Sequence, residues 1–134
     1  MKFNKTFDYD NRMDSEVIDL CNAMNSLPGI ETDSSCCGHG TDPFEIYFKV
    51  TDSTEGLFFL TRCIDKRYWT YNWSIKLSVG DRFDGKHLPI CYILSSNIIV
   101  GELAYKQAES LIDNMNLHLN HKAFMKGYNL SIKP

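Results

Sequence analysis

Ser34-Ser35-Cys36-Cys37-Gly38-His39-Gly40 places two hydroxyls, two thiols, an imidazole and two glycines within seven residues. Three chemistries draw on such a set. Zinc takes about four ligands, and cysteines that serve it as a pair usually stand two to four residues apart. Cys36 and Cys37 are adjacent, so their side chains tend to diverge. His87, Cys91, His118 and His121 supply no second paired motif, and no metal or cofactor is expected. A nucleophilic cysteine needs a base and an activating environment. His39 could serve Cys37, but Cys-x-His spacing alone is weak and no orienting acid follows from the sequence. The third chemistry belongs to the backbone. Gly38 and Gly40 permit conformations in which successive N–H groups point into one concavity, a nest that binds phosphate or another anion. Ser34, Ser35 and Thr41 add hydroxyl donors and His39 adds a ring N–H. A plain tight turn that needs glycine, with small buried cysteines, uses the same residues. Composition leaves cradle and turn open.

A second group follows. At helical spacing Phe58 falls outside its apolar arc and shares a polar face with Arg62; Lys66 lies near that face and Arg67 at the helix end. Residues 62–82 hold five bases and two acids, interleaved with Tyr68, Trp69, Tyr71 and Trp73. Arginine forks phosphate and flat rings stack on bases, so this mixture suits a ligand that carries both. Tyr71 and Trp73 also fit a core face. The ligand-binding candidates are Ser35, Cys37, Gly38, His39, Gly40, Phe58, Arg62, Arg67, Trp73 and Asn97; no residue is assigned a catalytic role.

The elements that must position these residues follow from periodicity. Asp14 is a candidate N-cap, and Val17, Leu20, Cys21, Met24 and Leu27 repeat on one helical face until Pro28-Gly29. Residues 1–13 read as an edge strand or a docking arm. Ile30 to Cys36 can be extended. In "FEIYFKV", Phe44, Ile46, Phe48 and Val50 alternate with Glu45, Tyr47 and Lys49, the pattern of a half-buried strand. Asp52 and Glu55 have capping-box spacing for a second helix, with Leu57, Phe59, Leu60, Cys63 and Ile64 on its apolar arc. "YNWSIKLSV" alternates again and groups Tyr71, Trp73, Ile75, Leu77 and Val79. "GDRFDG" is a turn, and the unbroken apolar run "ICYIL" suits a central strand. A last helix, about Glu102 to Leu119, puts Ala104, Ala108, Leu111, Ile112, Met115 and Leu119 on one side. The expected fold is α+β: one domain over 1–134, an antiparallel sheet with about three packed helices, in the order α-β-β-α-β-β-α.

The chain has 134 residues and a net charge of −3, which argues against a general nucleic-acid binder. Residues 1–60 carry eleven acids and four bases, net −7, and residues 61–134 six acids and ten bases, net +4. The two halves can attract each other within a fold or between copies. The opening residues lack the apolar run of a signal peptide, and no stretch approaches a membrane span, so a cytoplasmic protein with reduced thiols is expected. Ile18, Phe58, Leu103 and Leu117 fall outside the apolar arcs of three helices. Such residues on different helices can form a patch that a second copy covers, which predicts a homo-oligomer built on dimers with pockets shared between chains.

Three segments, "LPGIETDSSCCGHGTDPFEIYF", "FFLTRCIDKRYW" and "GELAYKQAESLIDNM", together resemble a family of small phage proteins, the Thoeris anti-defence sponges of the first type. The resemblance spans most of residues 14–119 and rests on the three segments together rather than on one signature. It implies a protein that binds cyclic ADP-ribose signals made by bacterial TIR enzymes and holds them without cleavage. Some members also hold cyclic di- or trinucleotides of the CBASS system. It implies dimers and higher oligomers with ligand pockets at subunit interfaces, allows a hexamer, and implies action in the host cytoplasm. A narrower resemblance links "PGIETDSSCCG" to the opening of third-step wybutosine-synthesis methyltransferases, whose motif has Ser-Ser-Cys, one residue and Gly. It covers about a dozen residues, and His39 stands where that motif has a basic residue. The chain looks short for such an enzyme, and its acidic balance suits a tRNA substrate poorly. Three classes therefore stand: a sponge that binds a cyclic nucleotide without turnover, a nucleotide-modifying enzyme that depends on Cys37 or His39, and an inhibitor that acts only through protein–protein contact.

Overall fold

A computed structural model of the chain describes residues 3, 15–36, 41–79, 85 and 90–120. The elements run α1 (Ser15–Asn25), β1 (Ile30–Cys36), β2 (Pro43–Val50), α2 (Glu55–Cys63), β3 (Ser74–Val79), β4 (Ile90–Val100) and α3 (Gly101–Leu119). The four strands form one antiparallel sheet in the order β1-β2-β4-β3. The fold is α+β with the expected element order. Asp14, the "GDRFDG" turn apart from Gly85, and residues 1–13 apart from Phe3 lie outside the described residues.

Alternation builds the sheet's buried face. Phe44, Ile46 and Phe48 of β2 are fully buried, while Glu45 and Tyr47 between them are half-buried and Lys49 is exposed. Register carries that face onto β4, because Ile46 pairs with Leu94 and Phe48 with Tyr92. α3 lies over β4 and β2, α1 lies over β1 and beside α3, and α2 packs on α3. Leu20, Met24 and Leu27 of α1, Phe59 and Leu60 of α2, and Leu111, Ile112 and Met115 of α3 close the core. Burying side chains of this size stabilises the fold by about 1.5–3 kcal/mol each relative to exposure. Phe3 joins them, held by Asn116, which accepts from its N–H and donates to its carbonyl.

The turn after α1 needs Gly29. Its φ is +79°, and a Cβ there would land on the carbonyl oxygens of Ser53 and Thr51. The close approach lets the Gly29 carbonyl accept from Thr51 N–H at 2.7 Å, tying the start of β1 to the end of β2.

Two local expectations fail. The capping box at the start of α2 does not form. Asp52 sits in a left-handed turn at φ 51°, Thr54 occupies the N-cap without a side-chain bond, and the Ser53 hydroxyl accepts from Glu55 N–H instead. The tight turn out of β2 moves the helix start past the reach of the Asp52 carboxylate. The face shared by Trp73, Ile75, Leu77 and Val79 is also not uniformly buried. Trp73 precedes β3 and is in the core, Ile75 is half-buried, and Leu77 and Val79 are 62% and 53% exposed. β3 is an edge strand, and the helical layer does not extend over its outer half.

Candidate functional site

Phe58 and Arg62 are four residues apart on α2 and so stand on one face. Phe58 is 48% exposed, and the Arg62 guanidinium carbon lies 5.7 Å from its ring centroid. The chain then turns. Asp65 and Arg67 fold Tyr68 back onto the same arginine, with the guanidinium 5.3 Å from the Tyr68 centroid and Arg62 Nη2 donating to Tyr68 Oη at 2.8 Å. The Tyr68 ring meets His118 of α3 edge-on at 5.2 Å. A guanidinium between two rings, one of them half open to solvent, can receive a flat, anionic ligand by stacking and by charge-assisted hydrogen bonds.

Arg67 is differently engaged. Its Nε and Nη2 donate to the two Asp65 carboxylate oxygens at 3.0 Å each, and its backbone N–H donates to Oδ1 at 2.9 Å. The Arg67 side-chain bonds, followed by that backbone bond, hold the Asp65 carboxyl down to about 2. The Arg67 guanidinium also lies 5.5 Å from the Tyr68 centroid. Its fork thus shapes the turn that carries Tyr68.

Trp73 is 4% exposed. Its Nε1 donates to Gln107 Oε1 at 2.7 Å, and its ring packs on Phe44 at 5.4 Å and Trp69 at 5.8 Å. The structure places it in the core, without a free face for a base. Asn97 sits in β4 at φ 60°. Its Oδ1 accepts from Ser74 Oγ at 2.8 Å, its Nδ2 donates to the Asn72 carbonyl at 2.6 Å, and its N–H reaches Ser95 Oγ at 3.0 Å. Asn97 thus fastens a bulge. Between Glu45↔Ser95 and Pro43↔Val100, β4 spends more residues than β2. Ile98, at 86% exposure, projects from the excess. Ser96 Oγ accepts from Phe44 N–H and donates to the Ile99 carbonyl, which closes the bulge's base.

Ser35 lies in β1 with its backbone paired to Ile46, and Cys36 pairs with Glu45. Cys37, Gly38, His39 and Gly40 lie outside the described residues. Their flanks are described: the segment leaves β1 at Cys36 and rejoins at Pro43, beside Val100 and the start of α3. Asn97 and the flanks of the cysteine–histidine segment therefore share one end of the sheet. Phe58, Arg62 and Tyr68 lie toward the other end of α3, at His118. From Gly101 to His118 the helix axis runs about 26 Å. The six described candidates thus separate into Phe58, Arg62 and Arg67 around Tyr68, Ser35 and Asn97 toward one end of the sheet, and the buried Trp73.

Tyr68 belongs to the aromatic run after Arg62 but is not among the ligand-binding candidates; the structure sets it against the Arg62 guanidinium. Asp65, placed to receive both the backbone and side chain of Arg67, was the available signal. His118, in the sequence only a candidate metal ligand, is buried against the Tyr68 ring. Among the described residues, no three of His, Cys, Asp and Glu gather closely enough to hold a metal ion. Cys63 is buried at the end of α2, and burial pushes its thiol well above the ordinary value. No family model, curated protein or solved structure matches the chain.

Proposed function

We propose that this chain binds an anionic, aromatic ligand of the nucleotide class and holds it unchanged, its ligand being a cyclic nucleotide immune signal, as in the anti-defence sponges it resembles. The observation that carries the reading is the Arg62 guanidinium set between exposed Phe58 and Tyr68. A phosphate is drawn to the guanidinium charge, while a purine uses the exposed Phe58 ring face beside it. The segment Ser35–Gly40 is the second element, a glycine-bearing anion cradle on its sequence chemistry. In this reading the protein acts in the host cytoplasm as a homo-oligomer and uses no cofactor.

Incubation with cyclic ADP-ribose isomers and with cyclic di- and trinucleotides, followed by desalting, heat release and chromatography, tests the reading. Recovery of intact ligand is the expected result. A chemically altered ligand would instead assign the segment around Cys37 and His39 to a nucleotide-modifying enzyme. Retention of none would leave the inhibitor that works by protein contact alone.

A further inference from the structure

We propose that a polar stripe on α3, made by Gln107, Ser110, Asn114 and His118, positions the Arg62 site: it fixes where residues 63–73 lie along the helix and so sets Tyr68 against the Arg62 guanidinium. The four stand three, four and four residues apart and so share one side of the helix. Gln107, Asn114 and His118 are buried and Ser110 is half-buried. Each meets the segment that leaves α2. Asn114 Nδ2 donates to the Cys63 carbonyl at 2.6 Å, directly after Arg62. His118 meets the Tyr68 ring edge-on. Ser110 Oγ accepts from Trp69 Nε1 at 3.1 Å, and Gln107 Oε1 accepts from Trp73 Nε1 at 2.7 Å.

The neighbouring side of α3 is apolar, with Leu111, Ile112 and Met115 in the core. An apolar contact tolerates sliding, whereas a hydrogen bond to a buried indole N–H does not. A segment set one place along would leave the indole N–H groups of Trp69 and Trp73 without their acceptors, at the cost of burying unsatisfied polar groups. Partnered polar groups in a core therefore select one arrangement over its neighbours. That arrangement serves the site, because the two sides of Arg62 come from different places. α2 ends at Cys63, and the turn through Asp65 and Arg67 brings Tyr68 back. Asn114 holds the helix end and His118 meets the returning ring, about one turn apart on the same rigid support. The four residues act through Arg62 and Tyr68 and are not assigned to the ligand. What the site holds rests on the nucleotide reading; the placement of Tyr68 does not.

In the free protein, nuclear Overhauser contacts between the Tyr68 ring and the Arg62 side chain should be present in wild type and weaken in His118→Ala and Ser110→Ala. They should return in His118→Phe, which keeps a ring for Tyr68 to meet, and in Ser110→Thr, which keeps the hydroxyl. Melting curves show that the variants are folded, and the half-buried Ser110 pair carries the test if His118→Ala does not fold. Cyclic ADP-ribose isomers and cyclic dinucleotides are then the probes. The one that wild type retains should bind about two- to tenfold more weakly to the alanine variants, the cost of re-ordering a side chain on binding, and normally to the Phe and Thr variants. In an Arg62→Ala background, either alanine substitution should cost nothing further, because both act through that arginine. Contacts between Tyr68 and Arg62 that persist in both alanine variants, or an additive loss in the double variant, would overturn the proposal. Absence of any retained nucleotide would overturn the nucleotide reading instead, and the contacts in the free protein still decide the positioning.

Discussion

Arg62 Nη2 donates to Tyr68 Oη and the guanidinium lies against the rings of Phe58 and Tyr68, so its charge and plane are fixed in direction before a ligand arrives. Such pre-ordering lowers the side-chain entropy lost on binding. Arg62→Ala should weaken nucleotide binding by about 1.5–3 kcal/mol, the range for a hydrogen bond to a charged group. Arg62→Lys should recover only part of it, because an ammonium restores charge and not the fork. Calorimetric titration beside a melting curve separates binding from folding. Unchanged affinity in a folded Arg62→Ala protein would remove Arg62 from the site. Asp65 gives a prediction in pH. Its folded pKa, about 2, lies below the ordinary 3.8. The stabilisation from its bonds to Arg67 is therefore fully present above that ordinary value and is lost as pH falls through about 2. A carboxyl NMR titration should show this midpoint, and Arg67→Ala should return it toward 3.8. A midpoint that does not move would mean that the Arg67 side chain is not what holds the turn before Tyr68.

At the scale of elements, the bulge of β4 decides what Asn97 is for. A positive φ is costly for most residues but accessible to asparagine. Here the side chain also ties β4 to Asn72 and Ser74 ahead of β3. Asn97→Ala should cost about 1–3 kcal/mol of stability through the left-handed backbone and the lost bonds. Asn97→Gly should cost less, since glycine keeps the backbone. If nucleotide affinity falls in step with stability in both variants, Asn97 serves the fold; if affinity falls in Asn97→Gly while the melting temperature holds, Asn97 meets the ligand. Alternation made β2 legible, and the apolar run "ICYIL" marked β4 as central. The same alternation named a face for Leu77 and Val79 but carried no information on how far the helices reach across it. The bulge was hidden because its cause is pairing with a distant strand. Tyr68 is absent from the sequence candidates because three bonds that Arg67 donates to Asp65, rather than a period, shape the turn that returns it to Arg62. The spacing of Phe58 and Arg62 lies within one helix, and this part of the candidate site was readable from sequence.

In the whole molecule, α3 separates the Arg62 cluster from the flanks of the Ser35–Gly40 segment by about 26 Å of helix. The homo-oligomer proposed above can supply the two to one ligand from different chains. Shared pockets would draw one half of each site from each chain, and subunit mixing reads this directly. Arg62→Ala and Gly40→Val should each lose binding alone, the second because a branched side chain disfavours φ > 0 and fills an anion cradle. In a dimer with shared sites, a mixed pair concentrates both defects in one pocket and leaves the other intact. Equal amounts of the two variants, unfolded and refolded together, should therefore regain about a quarter of the wild-type sites. Stoichiometry by calorimetry measures that fraction, and refolding each variant alone supplies the baseline. Recovery absent from a mixture shown by mass spectrometry to contain mixed dimers would place each ligand within a single chain and assign the two clusters to separate roles.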